Sequence, residues 1–170
     1  MAGDDRVLRG HPPARDAAGQ HDAGVPAPEG GTGPARRLRM PVGDPIIAFT
    51  RLRLADGLPM VVERTTLPAA YVPGLQAEDL NGSLYDLLTS RYGIDLVSGT
   101  SRLEPVMPDA KSAGWLDIPT TQPCLAIHGI SFDSRDRVLE YTSALYRGDR
   151  YAFTTELRTT PTRRATAKGL

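Results

Sequence analysis

Arg51 and Arg53 stand two positions apart in the run Ile46-Ile47-Ala48-Phe49-Thr50-Arg51-Leu52-Arg53-Leu54. If that run is a strand, its two-residue period turns both guanidinium groups to one face. Two N–H forks side by side suit a phosphate or carboxylate, which arginine binds with paired hydrogen bonds. A solvated sheet face explains the pair about equally well. Ser83 opens an apolar, helix-period stretch, Leu84 to Tyr92, where its hydroxyl would lie beside free backbone N–H groups and the positive end of the helix dipole. That is a second anion-binding element, although a plain N-cap is the simpler reading. Glu140, Thr142, Ala144 and Tyr146 share a strand face by the same period of two, so a carboxylate and a phenol could meet the hydroxyls of a polar ligand there. Alternatively, Tyr146 is core and Glu140 pairs with an arginine.

Other chemistries find less support. No Gly-x-Gly-x-x-Gly follows a strand and no Gly-Lys-Ser/Thr loop is present, so the nucleotide-binding signatures are missing. The single cysteine, Cys124, excludes an internal disulfide and a cysteine-based zinc site, and three scattered histidines (His11, His21, His128) argue against a metal centre or cofactor-like ion. His128 alone falls inside the periodic region, mid-strand between Ile127 and Gly129, which suits a structural histidine better than a hydrolase triad. Lysine plus arginine equals aspartate plus glutamate at 20 each, so bulk charge points to neither nucleic acid nor an anionic membrane. No apolar run approaches the ~18 residues of a membrane span, and a cytoplasmic location is the default expectation.

The elements that must position these residues follow from punctuation. Pro45 to Leu54 and Pro59 to Leu67 read as two strands around Ala55-Asp56-Gly57, and we expect a three-residue loop with Gly57 left-handed, which puts Arg51, Arg53 and Glu63 on one face. A two-residue loop would instead pair Arg51 with Val62. Asn81-Gly82-Ser83 predicts a helix through Tyr92 with Leu84, Leu87 and Leu88 inward, ended by Gly93. Strands are predicted over 94–107, 125–132, 138–146 and 149–157, with a short helix after Pro108-Asp109 that turns Ala110, Ala113 and Leu116 to the core. Strands joined by short turns are antiparallel, so the fold class is α+β with one mainly antiparallel sheet.

Fourteen of the 32 glycines and prolines lie in the first 44 residues, which hold only isolated bulky apolar side chains. Residues 1–44 are therefore expected to form a disordered Gly/Pro-rich arm, 45–157 the folded domain and 158–170 a disordered tail. The cluster Arg36-Arg37-Leu38-Arg39 reads as a solvated linker run rather than a phosphate contact.

Taken in order, Phe49 to Pro59, then Glu63 and Leu67-Pro68, then Ser83-Leu84-Tyr85-Asp86-Leu87-Leu88 and Tyr92-Gly93, and finally Glu140-Tyr141-Thr142 with Tyr146-Arg147-Gly148-Asp149-Arg150-Tyr151, resemble the UTRA domain. UTRA is the effector-binding half of HutC-type regulators in the GntR family. The resemblance implies a chorismate lyase-like fold, an antiparallel sheet flanked by helices, and a non-enzymatic, cofactor-free role in sensing a small anionic effector. A chorismate lyase-like enzyme is the alternative on the same fold. It also implies ligand-binding residues, matched here to Arg51, Arg53, Glu63, Ser83, Tyr85, Glu140 and Tyr146. Of these, Arg51, Arg53, Ser83 and Tyr85 would hold an anionic group, a sugar phosphate or a carboxylate, while Glu63 and Glu140 would accept hydrogen bonds from ligand hydroxyls or an amine. HutC-type regulators begin with a winged helix-turn-helix, for which the arm is no match. The expected partners are thus a second copy or a full-length relative, with no specific DNA binding by this chain and no membrane.

Overall fold

The computed structural model describes residues 32–154 together with the backbone of residues 21 and 22. The strands are β1 (His21–Asp22), β2 (Ile46–Ala55), β3 (Leu58–Pro68), β4 (Leu96–Val106), β5 (Cys124–Asp133) and β6 (Val138–Arg147). They form one sheet in the order β1-β2-β3-β6-β5-β4, antiparallel at every pairing. The helices are α1 (Thr32–Leu38), α2 (Leu84–Tyr92) and α3 (Ala110–Leu116), and the β3–α2 connection carries two 3-10 turns, Ala69–Tyr71 and Ala77–Asn81. The α+β class and the antiparallel sheet agree with the sequence.

Helices cover both faces. On one, which carries Phe49, Arg51, Arg53, Glu63 and Thr65, α2 packs Leu84 and Leu88 against Phe49, Leu67 and Leu139. On the other, α1 closes one end through Leu38 against Ile46 and Val138, and α3 closes the opposite end through Leu116 against Val62 and Cys124. Ser83 caps α2 by accepting from the Asp86 amide at 3.3 Å, and Gly93 ends it at φ 63°, as expected. Asp109 caps α3 in the same way. In α3, however, Ala110 is exposed, and Ser112 takes the buried place beside Ala113 and Leu116.

The first hairpin differs from expectation in its loop. Ala55 pairs with Leu58 across the two residues Asp56-Gly57, whose φ values of 52° and 76° meet the double left-handed requirement of a type I′ turn. A bulge then leaves Met60 unpaired and advances the register by one, so that Arg51 faces Glu63 rather than Val62. Arg51, Arg53 and Glu63 do share a face, through a tight turn plus a bulge rather than a three-residue loop.

Two boundaries also move. The expected disordered arm of 1–44 is folded at its end: α1 buries Ala35 and Leu38, and Arg39 at φ 52° closes it while the Met40 amide donates to the Ala35 carbonyl at 3.0 Å. Pro34 is tolerated because it lies in the first turn, where its missing N–H costs nothing. The linker arginines are not merely solvated, since Arg37 lies over the Tyr141 ring at 4.7 Å and Arg39 over Phe132 at 5.3 Å. At the other end, residues 151–154 form no strand, so the expected last strand of 149–157 is absent over its described part. The rest of the arm and the tail 158–170 lie outside the described residues.

Candidate functional site

The central feature is a carboxylate held between two arginines. Register places Arg51 (β2), Glu63 (β3) and Ala144 (β6) in one row across the sheet. Arg51 Nη2 donates to Glu63 Oε1, Arg53 Nε donates to Glu63 Oε2 at 3.1 Å, and Thr65 Oγ1 donates to Oε1 at 3.3 Å. Burial pushes the Glu63 carboxyl up, but the two guanidinium groups outweigh burial and hold it below the ordinary carboxylate value. Arg51 is 5% exposed, and its Nη1 reaches the Gly82 carbonyl at 3.5 Å, tying β2 to the N-terminus of α2. Its Nε is buried without a hydrogen-bond partner among the described residues. A buried guanidinium N–H left open in this way is costly and calls for an acceptor.

A second buried carboxylate lies on β6. Glu140, 1% exposed, accepts from the Tyr85 hydroxyl at 2.6 Å and from Ser131 Oγ at 3.1 Å, both through Oε1. Its Oε2 is buried and has no hydrogen-bond partner among the described residues. Desolvation raises its proton affinity; the hydrogen bonds from Tyr85 and Ser131 pull it down, nearby Glu63 pushes it up, and the net direction is upward. Burial and the same carboxylate push the Tyr85 phenol upward, so it stays a donor. The alternative of Glu140 paired to an arginine is not what the structure shows.

Of the seven expected site residues, Arg51, Arg53 and Glu63 form one cluster and Tyr85 with Glu140 a second. Ser83 is exposed and acts as the N-cap of α2, adjoining the Gly82 carbonyl that Arg51 touches. Tyr146 lies in the next row, with Arg53 and Val61, on the same face. It is half-buried, and burial together with Tyr151 and Glu63 pushes its hydroxyl up to about 12. His128 is on the opposite face, its Nδ1 3.2 Å from the Tyr141 hydroxyl and its Nε2 3.5 Å from Glu104. Sequence reasoning passed over Thr65 and Ser131. Thr65 was legible, two residues beyond Glu63 on the same strand face. Ser131 was not, because it meets Glu140 beside a register shift in the β5–β6 pairing.

Comparison with known proteins gives this arrangement its context. Over 118 residues the chain is 35% identical to the HTH-type transcriptional repressor PhnF of Mycolicibacterium smegmatis, covering 69% of this chain and 48% of PhnF. The crystal structure of the effector domain of PhnF from Mycobacterium smegmatis superimposes with a TM-score of 0.72 at 29% identity, covering 77% of this chain and 81% of that one. The ligand-binding domain of a protein described as a GntR-family transcriptional regulator from Bordetella bronchiseptica gives 0.73 at 26% identity, over 76% of this chain and 84% of that one. The chain spans about half the length of the curated relatives it matches. With the UTRA domain matched over residues 33–152, this chain belongs to the UTRA family, the ligand-binding domain of GntR/HutC-type transcriptional regulators.

Proposed function

We propose that this chain senses a small anionic metabolite, a sugar phosphate or small carboxylate, and through it modulates transcription in a regulator dimer. The observation that carries the reading is Arg51: a buried guanidinium with an open N–H, seated at the N-terminus of a nine-residue helix. Backbone amides of that first helical turn, the Arg51 and Arg53 forks and Ser83 converge on an anion. Glu63 spends both oxygens on Arg51, Arg53 and Thr65, so its part is to aim the arginines. Glu140, through Oε2, accepts from a hydroxyl or amine of the ligand, while Tyr85 and Tyr146 border it. The ligand is bound and released unchanged, with no cofactor. Its differential affinity for two arrangements of the assembly supplies the signal. The assembly is a homodimer or a mixed dimer with a full-length relative, acting in the cytoplasm.

A thermal-shift screen of phosphorylated sugars and small carboxylates identifies the ligand, and calorimetry on Arg51→Ala and Arg53→Ala tests the site. Each loss of a charge-assisted contact is expected to weaken binding by about 1.5–3 kcal/mol, roughly ten- to hundredfold. Unchanged affinity in both variants would sink the reading. Turnover of chorismate by the wild type would favour the enzyme alternative instead.

A further inference from the structure

Asn81 is the single asparagine of the chain, and Gly82 follows it. The site proposed above uses the Gly82 carbonyl and Ser83 but gives Asn81 no part. Asn81 ends the 3-10 turn Ala77–Asn81, and Gly82 leaves that turn in an extended conformation, φ −112° and ψ −158°. Both residues are exposed. Among the described residues the Asn81 side chain makes no hydrogen bond, and the Gly82 amide donates to no acceptor. An added Cβ at Gly82 would meet no heavy atom within 4 Å, so the space around this peptide is open.

The chain is fastened on either side of this peptide. Before it, Asp79 accepts from the Gln76 amide at 2.9 Å and from Arg91 Nη1 at 2.6 Å. After it, the Gly82 carbonyl accepts from Arg51 Nη1 at 3.5 Å, and Ser83 caps α2. The Gly82 nitrogen between these ties is open to approach the Asn81 side-chain carbonyl, with which it closes a five-membered ring. Only glycine, without a Cβ, leaves that approach unhindered.

We propose that Asn81 is a site of self-modification: the Gly82 nitrogen attacks its side-chain carbonyl, and the aspartate and isoaspartate that result weaken the anion site. The Gly82 nitrogen gives up its proton and bonds to Asn81 Cγ; the Cγ–Nδ2 bond breaks, and Nδ2 leaves with a proton as ammonia. Water then opens the cyclic imide. Cleavage between Cγ and the Gly82 nitrogen leaves aspartate on an ordinary backbone, whereas cleavage at the Asn81 backbone carbonyl routes the chain through Cγ as isoaspartate. No group is oxidised or reduced, and water is the only reagent consumed. Either product puts a carboxylate where a neutral amide stood, next to the residue that Arg51 holds, and isoaspartate also lengthens the main chain by one methylene. Both changes disfavour an anion at Arg51 and the first turn of α2. The chain becomes a sensor that loses its effector with age. That consequence rests on the anion site proposed above; the chemistry at Asn81 does not.

The full chain is aged in mildly alkaline buffer; peptide mapping by mass spectrometry follows Asn81, and calorimetry with methyl phosphate and with acetate, one probe for each class of anion, follows the site. The Asn81 peptide is expected to exchange NH2 for OH and split into two products, one of them labelled by an isoaspartyl methyltransferase. Whichever probe binds the fresh protein is expected to bind the aged protein roughly five- to tenfold more weakly, the effect of one added negative charge beside the Arg51 contact. Gly82→Ala, whose Cβ fits the open space yet hinders the attack, slows the change and keeps its starting affinity through ageing, as does Asn81→Gln. Asn81→Asp is weak from the start. An Asn81 that stays an amide in the folded chain while the same peptide, cut from the protein, deamidates overturns the modification site; complete modification with unchanged affinity overturns its consequence. If neither probe binds the fresh wild type, or Arg53→Ala binds as tightly as the wild type, it is the anion site that has failed, and the consequence falls with it while mass spectrometry still decides the chemistry.

Discussion

Two buried glutamates on one sheet face are set to opposite protonation preferences by their neighbours. Glu63 sits between Arg51 and Arg53 and is held low; Glu140 has two hydroxyl donors, an oxygen with no partner among the described residues and Glu63 as a negative neighbour, and is held high. Both start from an ordinary value of 4.5. For Glu63 the folded value is the lower one, so its contribution to stability is present above 4.5 and is lost as pH falls through the depressed value. For Glu140 the folded value is the higher one, so its contribution is complete below 4.5 and declines as pH climbs through the raised value. We therefore expect the wild type to lose stability as pH rises above 4.5 through the raised Glu140 value, and Glu140→Gln, which cannot ionise yet keeps an oxygen for Tyr85, to flatten that slope. Urea unfolding at several pH values measures it; an equal slope in both proteins would remove Glu140 as its source. Residue identity was readable from strand parity for the arginines and Glu63. The partners were not, because Tyr85 meets Glu140 across 55 residues of sequence and only the packing of α2 brings them together.

At the scale of elements, what the sequence concealed was carried by tertiary contact. Thr32–Leu38 reads Thr-Gly-Pro-Ala-Arg-Arg-Leu, seven residues with two helix-breaking types, far below the length at which an isolated helix holds in water. Its only local sign is Ala35 and Leu38 three apart, and these are the two residues buried, at 0% and 3% exposure. Leu38 packs with Ile46 and Val138, so Leu38→Ala is expected to cost about 2–5 kcal/mol by the usual cavity penalty, where an arm in solvent would lose almost nothing. Chemical denaturation decides between the two. The hairpin teaches the complementary lesson. Asp-Gly was a correct turn signal, but loop length and bulge compensate each other in the face they present, so parity alone could not separate a three-residue loop from a type I′ turn with an extra residue.

For the whole molecule, the two sides of the sheet are fastened differently. On the opposite face α1 and α3 are held through the apolar clusters at Leu38 and Leu116. On the site face α2 has an apolar footing at Leu84 and Leu88, but its first turn is tied to the sheet by two polar links: Arg51 to the Gly82 carbonyl and Tyr85 to Glu140. The end-to-end order of strands and helices was legible because short turns enforce antiparallel neighbours, whereas the insertion of β6 between β3 and β5 has no local signal. An anion that satisfies Arg51 and the α2 amides adds a third tie at that same turn. Binding at 100 times the dissociation constant stabilises the folded state by about 2.7 kcal/mol, and the gain is unequal across the molecule because local opening differs between elements. With a saturating anion from the screen, amide hydrogen exchange is expected to slow most at the start of α2 and at β2 around Arg51, with α1 and α3 following only the global change. Protection concentrated in α1 or α3 would place the ligand on the other face of the sheet, beside His128 and Tyr141, and would require the site to be moved there.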